Sequence, residues 1–395
     1  MIPLKQALSL LDEAARPLET EKVPLSESLG RFLAVPVTSP VDIPPFSKSA
    51  MDGFAVRSRD VTAPDAVLRV TEVVGAGTVP RRSVEPGTAV QIMTGAPVPD
   101  GADAVIRVEY ADQQDGTVRF HTEEGSSNII ARGENARAGD ELLTPRRVRA
   151  HDVGVAASIG LGELEVYRVP TLGILSTGDE LLEPGQAPAP GTIYNSNAYQ
   201  IAAQATAAGF GPHYYGIAAD TADSLRDSLR PALEENRVIV LSGGVSKGEY
   251  DYVPDVLAEL GVQTVFHRVA VKPGRPTFFG TRERDGHRQY VFGLPGNPVS
   301  TYVMFLLFVE RLLYRMCALE PPLAGRAVTI RETIKKRDAE RTEFIPVAIT
   351  NGTATPVRYG GSSHLNALST ADALLEVPVG TTEITEGATV HVRSI

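Results

Sequence analysis

Apolar residues recur at helical spacing near the start of the chain. Leu4, Ala7, Leu8, Leu11 and Ala14 share one face of an amphipathic helix predicted over 4–16 and closed by Pro17. The pattern then changes. Pro40, Pro44 and Pro45 stiffen the backbone, and residues 46–56, ending Ser49-Ala50-Met51-Asp52-Gly53-Phe54-Ala55-Val56, read as an extended approach followed by an exposed loop. Between 67 and 143, short apolar runs are divided by Gly, Pro and Asp turns. Strands are predicted at 67–74, 88–93, 104–109 and 117–121, an all-β module. Residues 151–168 return to helix then strand.

From residue 170 the two periods alternate. Strands are predicted at 172–176, 213–217, 238–242 and 290–293, and helices at 195–208, 222–235, 253–260 and 298–317. Such alternation predicts a mostly parallel sheet covered by helices on both faces. Residues 183–191, where Pro and Ala alternate, read as a surface loop. After Pro321-Pro322 the chain is β-rich again to Ile395, a small terminal β domain.

Length changes the picture first. A single core rarely serves more than ~250–300 residues, so 395 residues imply two to four domains. The formal charge of −10 disfavours nucleic acid and anionic membranes as partners, while leaving room for a local basic pocket. The one cysteine, Cys317, allows no internal disulfide and no cysteine zinc cluster, and its apolar helical surroundings suit packing. Residues 1–8 lack the basic start and apolar core of a signal peptide, and the longest apolar run, 302–309, is stopped by Glu310 and Arg311. The chain is therefore expected to be soluble and not exported.

Three junctions carry candidate chemistry: Ser176-Thr177-Gly178-Asp179-Glu180-Leu181, then Ser242-Gly243-Gly244-Val245-Ser246-Lys247-Gly248-Glu249-Tyr250-Asp251, then Gly293-Leu294-Pro295-Gly296-Asn297-Pro298-Val299-Ser300. Each is read as a strand-to-helix loop, the place where open parallel sheets bind ligands. Glycine allows close backbone approach, and helix N-termini offer free N–H groups to an anion. Asn297 is expected at an N-cap and Pro298 at the first helical position. Asp179, Glu180, Glu249 and Asp251 would repel a phosphate unless a cation such as Mg²⁺ bridges them. As plain structure, Asp179 and Glu180 would favour the first turn of a helix. Strand alternation over 268–272 would put Arg268 and Lys272 on one face, with Arg275 after a Pro-Gly turn. That makes a cationic patch suited to phosphate or an oxyanion.

These motifs, with Ser49–Val56, the Ile92–Val105 stretch IMTGAPVPDGADAV and residues 132–140, stand in an order that closely resembles the molybdopterin molybdenumtransferase family, which includes the enzyme domain of gephyrin. The resemblance spans essentially the whole chain. It implies a multidomain α/β plus β fold, a three-layer α/β/α molybdopterin-binding domain with an elongated N-terminal region carrying an inserted β module and a small C-terminal β domain. The implied boundaries are 1–45 with 141–169, 46–140, 170–317 and 318–395. It also implies a cytoplasmic homodimer whose cleft lies between the α/β domain of one subunit and the N-terminal module of the other.

The reaction implied is insertion of molybdenum from molybdate into adenylylated molybdopterin, with Mg²⁺-dependent release of AMP. The molybdopterin adenylyltransferase and apo-molybdoenzymes are the further partners. By position, Asp52, Thr94, Glu180, Asp220 and Asp251 carry catalytic roles, and Asp179, Glu180 and Asp251 the metal. Thr177, Gly178, Ser242, Gly243, Gly244, Ser246, Arg268, Lys272, Arg275, Pro295, Gly296, Asn297 and Ser300 hold the substrate. Asn135 stands where many members carry Asp, and Arg268 where Lys is frequent. On the same fold, the alternatives are a non-catalytic molybdopterin-binding or scaffold paralogue and a tungsten-selective one.

Overall fold

The computed structural model describes residues 1–63, 65–121, 126–244, 252–321, 325–336 and 338–395. They form two compact units. One comprises Val23–Leu29 and Val35–Leu164, the other Met1–Lys22, Gly30–Ala34 and Glu165–Ile395.

The first unit is built on a six-stranded sheet of β1 (Gly53–Val56), β2 (Val67–Val74), β3 (Thr88–Ile92), β4 (Ala104–Arg107), β5 (Ala111–Gln114) and β6 (Thr117–Phe120). The order is β4-β1-β3-β2-β6-β5. This corrects the exposed loop expected through 46–56, because all four residues of β1 are buried between β3 and β4. Phe46 and Met51 alone keep large apolar surface in water there. The cause is Gly53: a Cβ at that position would lie 2.0 Å from the Ile106 carbonyl oxygen, so only glycine lets the two strands meet. Side chains then alternate, with Phe54 and Val56 in one cluster beside Phe120 and Ile106, and Ala55 in another beside Val90 and Val105. The strand expected over 104–109 stops at Arg107. Val108 turns away into a 3-10 helix and donates its N–H to the Asp52 carbonyl (3.0 Å).

The second unit opens with α1 (Leu4–Ala14), whose Leu4, Ala7, Leu11 and Ala14 are buried as the spacing predicts. Its central sheet contains β7 (Leu172–Thr177), β8 (Pro212–Ala218), β9 (Val238–Ser242), β10 (Gln263–His267), β11 (Phe278–Arg284) and β12 (His287–Leu294), in the order β8-β7-β9-β12-β11-β10. The first four run parallel. β11 and β10 extend the sheet by antiparallel pairing. Covering it are α2 (Ser196–Ala208), α3 (Ala222–Glu235), α4 (Val253–Glu259), α5 (Pro298–Met304) and α6 (Glu310–Met316), the last two joined through a π turn at Phe305–Val309. Alternation divides the core. Val238 and Val240 face the cluster with α1, α2 and the 298–316 helix, while Ile239 and Leu241 face Leu225, Leu229 and Val256 of α3 and α4. Both faces are thus covered, and the continuous apolar run 238–241 follows from that.

The β11–β12 hairpin was not anticipated. Its signal is the Asp285-Gly286 pair, which takes positive φ (50° and 77°) at the tight turn.

Beyond the helix, β13 (Arg326–Ile330), β14 (Thr342–Thr350), β15 (Thr353–Pro356), β16 (Ala373–Val377) and β17 (Thr389–Ser394) form a ring. It closes because β16 pairs with both β17 and β14. Closure removes exposed edges, which suits so short a β domain. Val271 and Lys272 add a short parallel pairing to the start of β14. Among the described residues, no helix is long and apolar enough to cross a membrane.

Candidate active site

Strand directions decide where the candidate residues gather. β10 is antiparallel to β11, which is antiparallel to β12, so β10 ends on the same side as the four parallel strands. The loops after β7, β8, β9, β10 and β12 therefore share one edge, the edge where open α/β sheets bind ligands.

In the middle of that edge, Thr177, Ser242-Gly243-Gly244 and Leu294-Pro295-Gly296 pack together. The Gly243 N–H donates to the Leu294 carbonyl (3.1 Å). A Cβ on Gly243 would sit 2.6 Å from the Thr177 carbonyl oxygen, and one on Gly244 would sit 2.8 Å from Thr177 Oγ1. Both glycines also hold left-handed φ, 94° and 62°. Asn197, from the first turn of α2, donates from Nδ2 to Ser242 Oγ (2.8 Å) and to the Gly296 carbonyl (2.8 Å), joining the β9 and β12 loops. Asn297 does occupy the N-cap position, with Pro298 next, but its side chain makes no cap hydrogen bond. Thr301 ties the turn to the helix from the other side, its Oγ1 donating to the Pro295 (2.5 Å) and Asn297 (3.1 Å) carbonyls. Ser300 is buried and Pro295 shielded, while Gly296 and Asn297 face solvent.

The first junction is not a strand-to-helix turn. After Gly178 the chain forms Leu181–Leu182, which pairs with Ile193–Tyr194, and α2 begins only at Ser196. Residues 183–191 are the surface loop between those short strands. Asp179 and Glu180 thus lie in no helical first turn. The helix-dipole account of their charge fails because the chain leaves the sheet edge as a short ladder.

Both are exposed. Asp220, at the end of β8, donates its N–H to Asp179 Oδ1 (3.1 Å). The Asp220 carboxyl is held above the usual carboxylate range, by burial first and then by the charges of Asp179 and Glu180, partly opposed by a backbone hydrogen bond at Asp179. Among the described residues none of the three has a cationic side chain within 4 Å, and no group of three or more His, Cys, Asp or Glu is arranged to hold a metal ion. Ser246, Glu249 and Asp251 lie outside the described residues. Asp179, Glu180 and Asp220 offer hard oxygen donors, the ligand chemistry of Mg²⁺ and not of a soft metal, without being gathered among the described residues into a metal-holding group.

At the far flank, the basic loop departs from the expectation. Only Val271–Lys272 is a strand, and Arg268 has φ 86°, which breaks the alternation that would align Arg268 with Lys272. The reason lies in its hydrogen bonds: the Arg268 carbonyl turns to accept from Ile2 N (3.1 Å), while its N–H donates to the Thr277 carbonyl (2.9 Å). Val269 N–H donates to the Arg275 carbonyl (3.0 Å), so the segment doubles back and brings Arg268 and Arg275 onto one turn. Lys272 is not a free cation, because it pairs with Glu343 of β14 at 2.7 Å. Arg268 is half-buried and Arg275 exposed, and among the described residues neither has an acidic partner within 4 Å.

The other unit holds a second polar constellation. Asp52 Oδ1 accepts from both Thr94 N (2.6 Å) and Thr94 Oγ1 (2.7 Å), and this holds the Asp52 carboxyl below the usual range. Ser49 staples the two turns by backbone bonds to Gly95 and Ala96. Two residues singled out 42 positions apart thus meet on one surface, both exposed. Asn135 is exposed as well.

Sequence reasoning overlooked one network. Glu183 accepts from Tyr214 OH (2.6 Å) and Tyr199 OH (3.0 Å), while the fully buried Asn195 accepts from Ser176 Oγ (3.1 Å) and donates to Tyr214 OH (2.7 Å). It ties the segment carrying Asp179 and Glu180 to the sheet. Burial and the Glu183 charge put the Tyr214 hydroxyl well above its usual range. No local motif marks these residues. Cys317, as expected, is packed, and burial pushes its thiol up to about 12.

Three family models match in sequence: the MoeA N-terminal region (domains I and II) over residues 2–160, a probable molybdopterin-binding domain over 173–315, and the MoeA C-terminal region (domain IV) over 331–395. A protein of Bacillus subtilis named molybdopterin molybdenumtransferase is 35% identical, over 100% of this chain and 94% of its own length. One of the same name from Nostoc is 33% identical over 95% of this chain and 89% of its own. The crystal structure of a molybdopterin biosynthesis MoeA protein from Pyrococcus horikoshii superposes with a TM-score of 0.84 at 29% identity, covering all of both chains. With its whole length matched in order and its sheet edge built as described, the chain belongs to the MoeA family of molybdopterin molybdenumtransferases.

Proposed function

We propose that this chain inserts molybdenum from molybdate into the dithiolene of adenylylated molybdopterin and releases AMP in a Mg²⁺-dependent reaction, giving molybdenum cofactor. The observation that carries the reading is the ordering of chemistry along one sheet edge: acids at β7 and β8, glycine loops at β9 and β12, cations at the turn after β10.

An adenylylated substrate already holds an activated phosphoanhydride, so the protein's work is to position it and neutralise charge. Asp179, Glu180 and Asp220 are the described residues that would hold Mg²⁺, with Asp251 proposed as a further ligand. Bound there, Mg²⁺ would neutralise phosphate charge and polarise the bond that breaks. The backbone of Ser242–Gly244 and of Pro295–Asn297, with Thr177, Gly178 and Ser300 beside them, cradles the nucleotide part, and Ser246 is proposed to extend that cradle. Arg268 and Arg275 attract molybdate, the substrate oxyanion, and Lys272 joins them on release from Glu343. Asp52, fixed by Thr94 through one oxygen, keeps Oδ2 available.

The proposal carries with it a cytoplasmic homodimer in which Asp52 and Thr94 of one subunit complete the cleft of the other. The adenylyltransferase is the donor of substrate, and apo-molybdoenzymes are the acceptors of product. The test is AMP release from adenylylated molybdopterin by the purified protein with Mg²⁺ and molybdate. Release that requires molybdate, with a product that activates an apo-molybdoenzyme, supports the reading. Absence of both binding and release would overturn it.

A further inference from the structure

Two of the buried side-chain atoms that lack a hydrogen-bond partner in the described structure lie at the centre of the sheet edge: Thr177 Oγ1 and Asn197 Oδ1. Thr177 is 5% exposed and Asn197 8%. An unpaired polar atom at such depth destabilises the fold, and folded proteins rarely keep one unless a ligand or water completes it.

The orientation of the Asn197 amide follows from its partners. The Gly296 carbonyl can only accept, so Nδ2 must face it, and Oδ1 is left as a pure acceptor. Thr177 Oγ1 is bordered by Gly243 and Gly244, where a side chain would reach within 3.0 Å and 2.8 Å of the hydroxyl. Glycine at both positions keeps side chains from pressing on that hydroxyl.

We propose that Thr177 and Asn197 read a neutral hydrogen-bonding part of the ligand, an N–H or O–H donor, and not its phosphate. A phosphate offers only acceptor oxygens, which Asn197 Oδ1 would repel. Neither residue carries charge, and the cations stand at the turn after β10, beyond β12 in the sheet order. The donor belongs to the nucleoside half (ribose hydroxyl or base N–H) or to the pterin half of the substrate. This inference rests on the proposed adenylylated substrate.

Thr177→Val tests it, because valine keeps the shape and removes only the hydroxyl. Since that hydroxyl has no internal partner, thermal stability of the free protein is expected to equal or exceed wild type. Affinity for AMP, or for adenylylated molybdopterin, is expected to fall about 3–10-fold, the worth of one neutral hydrogen bond. Affinity for inorganic pyrophosphate is expected to stay unchanged. Loss for AMP assigns the donor to the nucleoside half, and loss for adenylylated molybdopterin alone assigns it to the pterin half. A destabilised variant, unchanged affinity for both organic probes, or an equal loss for pyrophosphate would each overturn the inference. Wild-type protein that binds neither organic probe would remove the proposed function with it, whereas wild-type binding with an indifferent variant removes this inference alone.

Discussion

Asp220→Asn should make the protein more stable and less active at the same time. In the native fold the Asp220 carboxyl is partly buried and faces the charges of Asp179 and Glu180, with no cation within 4 Å among the described residues. Its pKa is therefore raised. The folded state holds this proton more tightly than the unfolded chain does, so ionisation of Asp220 works against folding. Below the ordinary value of 3.8 the penalty is absent. It grows as pH rises from there through the raised folded value and is complete above it. Partial burial and the two exposed like charges together cost about 0.5–1 kcal/mol, and a shift of that size in a domain of this class moves Tm by about 1–3 °C. The assay is thermal melting of wild type and Asp220→Asn at pH 7 and again near pH 4, with and without Mg²⁺. The variant should melt higher at pH 7, the gap should close toward pH 4, and Mg²⁺ should raise Tm of the wild type more than that of the variant. AMP release should fall at least tenfold. A variant that melts lower at pH 7 would show Asp220 to be a paired structural carboxylate and refute the repulsion on which the metal assignment depends.

Glu180→Ala removes an exposed carboxylate that nothing in the described fold pairs, so turnover should drop by two or more orders of magnitude with Tm within about 1 °C; near-normal AMP release would remove Glu180 from the site. Lys272→Ala should weaken molybdate binding severalfold by calorimetry and leave Glu343 unpaired, and unchanged affinity would mean that the lysine serves only its 2.7 Å bridge. Asp152→Ala strips the helix Ala150–Ser158 of the carboxylate that accepts from Arg149 N (2.9 Å) and Arg146 Nη2 (2.5 Å), so the first unit should lose about 2–3 kcal/mol at pH 7. The Asp152 pKa is depressed by Arg146 and Arg149 against the opposing effect of burial, so this stabilisation is present above 3.8 and lost as pH falls below it. The two proteins should therefore converge in acid, and a difference that persists at low pH would point to packing instead.

Much of the α/β unit was legible because its elements are long and strongly periodic. Helix Ala222–Glu235 and strand Val238–Ser242 stand where the pattern puts them. What stayed hidden depends on contacts far apart in sequence. The burial of Gly53–Val56 rests on a glycine that fits under Ile106, and no local pattern distinguishes such a strand from a Gly-containing loop. The alternation read through Arg268 to Lys272 failed because Ile2, more than 260 residues away, takes the Arg268 carbonyl. Asn197 and Glu183 escaped notice for the same reason: a lone polar residue in a helix or a Pro-rich loop shows nothing until its partners arrive. The Asp285-Gly286 turn was readable and was passed over.

The sheet order adds a constraint on the ligand that no single motif holds. β7, which carries Thr177 and leads to Asp179 and Glu180, stands four strands from β10, which runs into the turn bearing Arg268 and Arg275. At about 4.8 Å per strand, that is on the order of 19 Å. One phosphate or one molybdate cannot touch both ends. Inorganic phosphate or molybdate alone should therefore gain from Arg268 and Arg275 and gain nothing from Mg²⁺ at the acids. Only an elongated molecule with a phosphate at one end and an oxyanion-accepting group at the other uses the whole edge. Between the two charged ends lie the β9 and β12 loops, joined by the uncharged Asn197, while Thr177 stands on β7 at the acidic end. Charge sorted in this order along the edge supports the adenylylated molybdopterin and molybdate proposed as substrates.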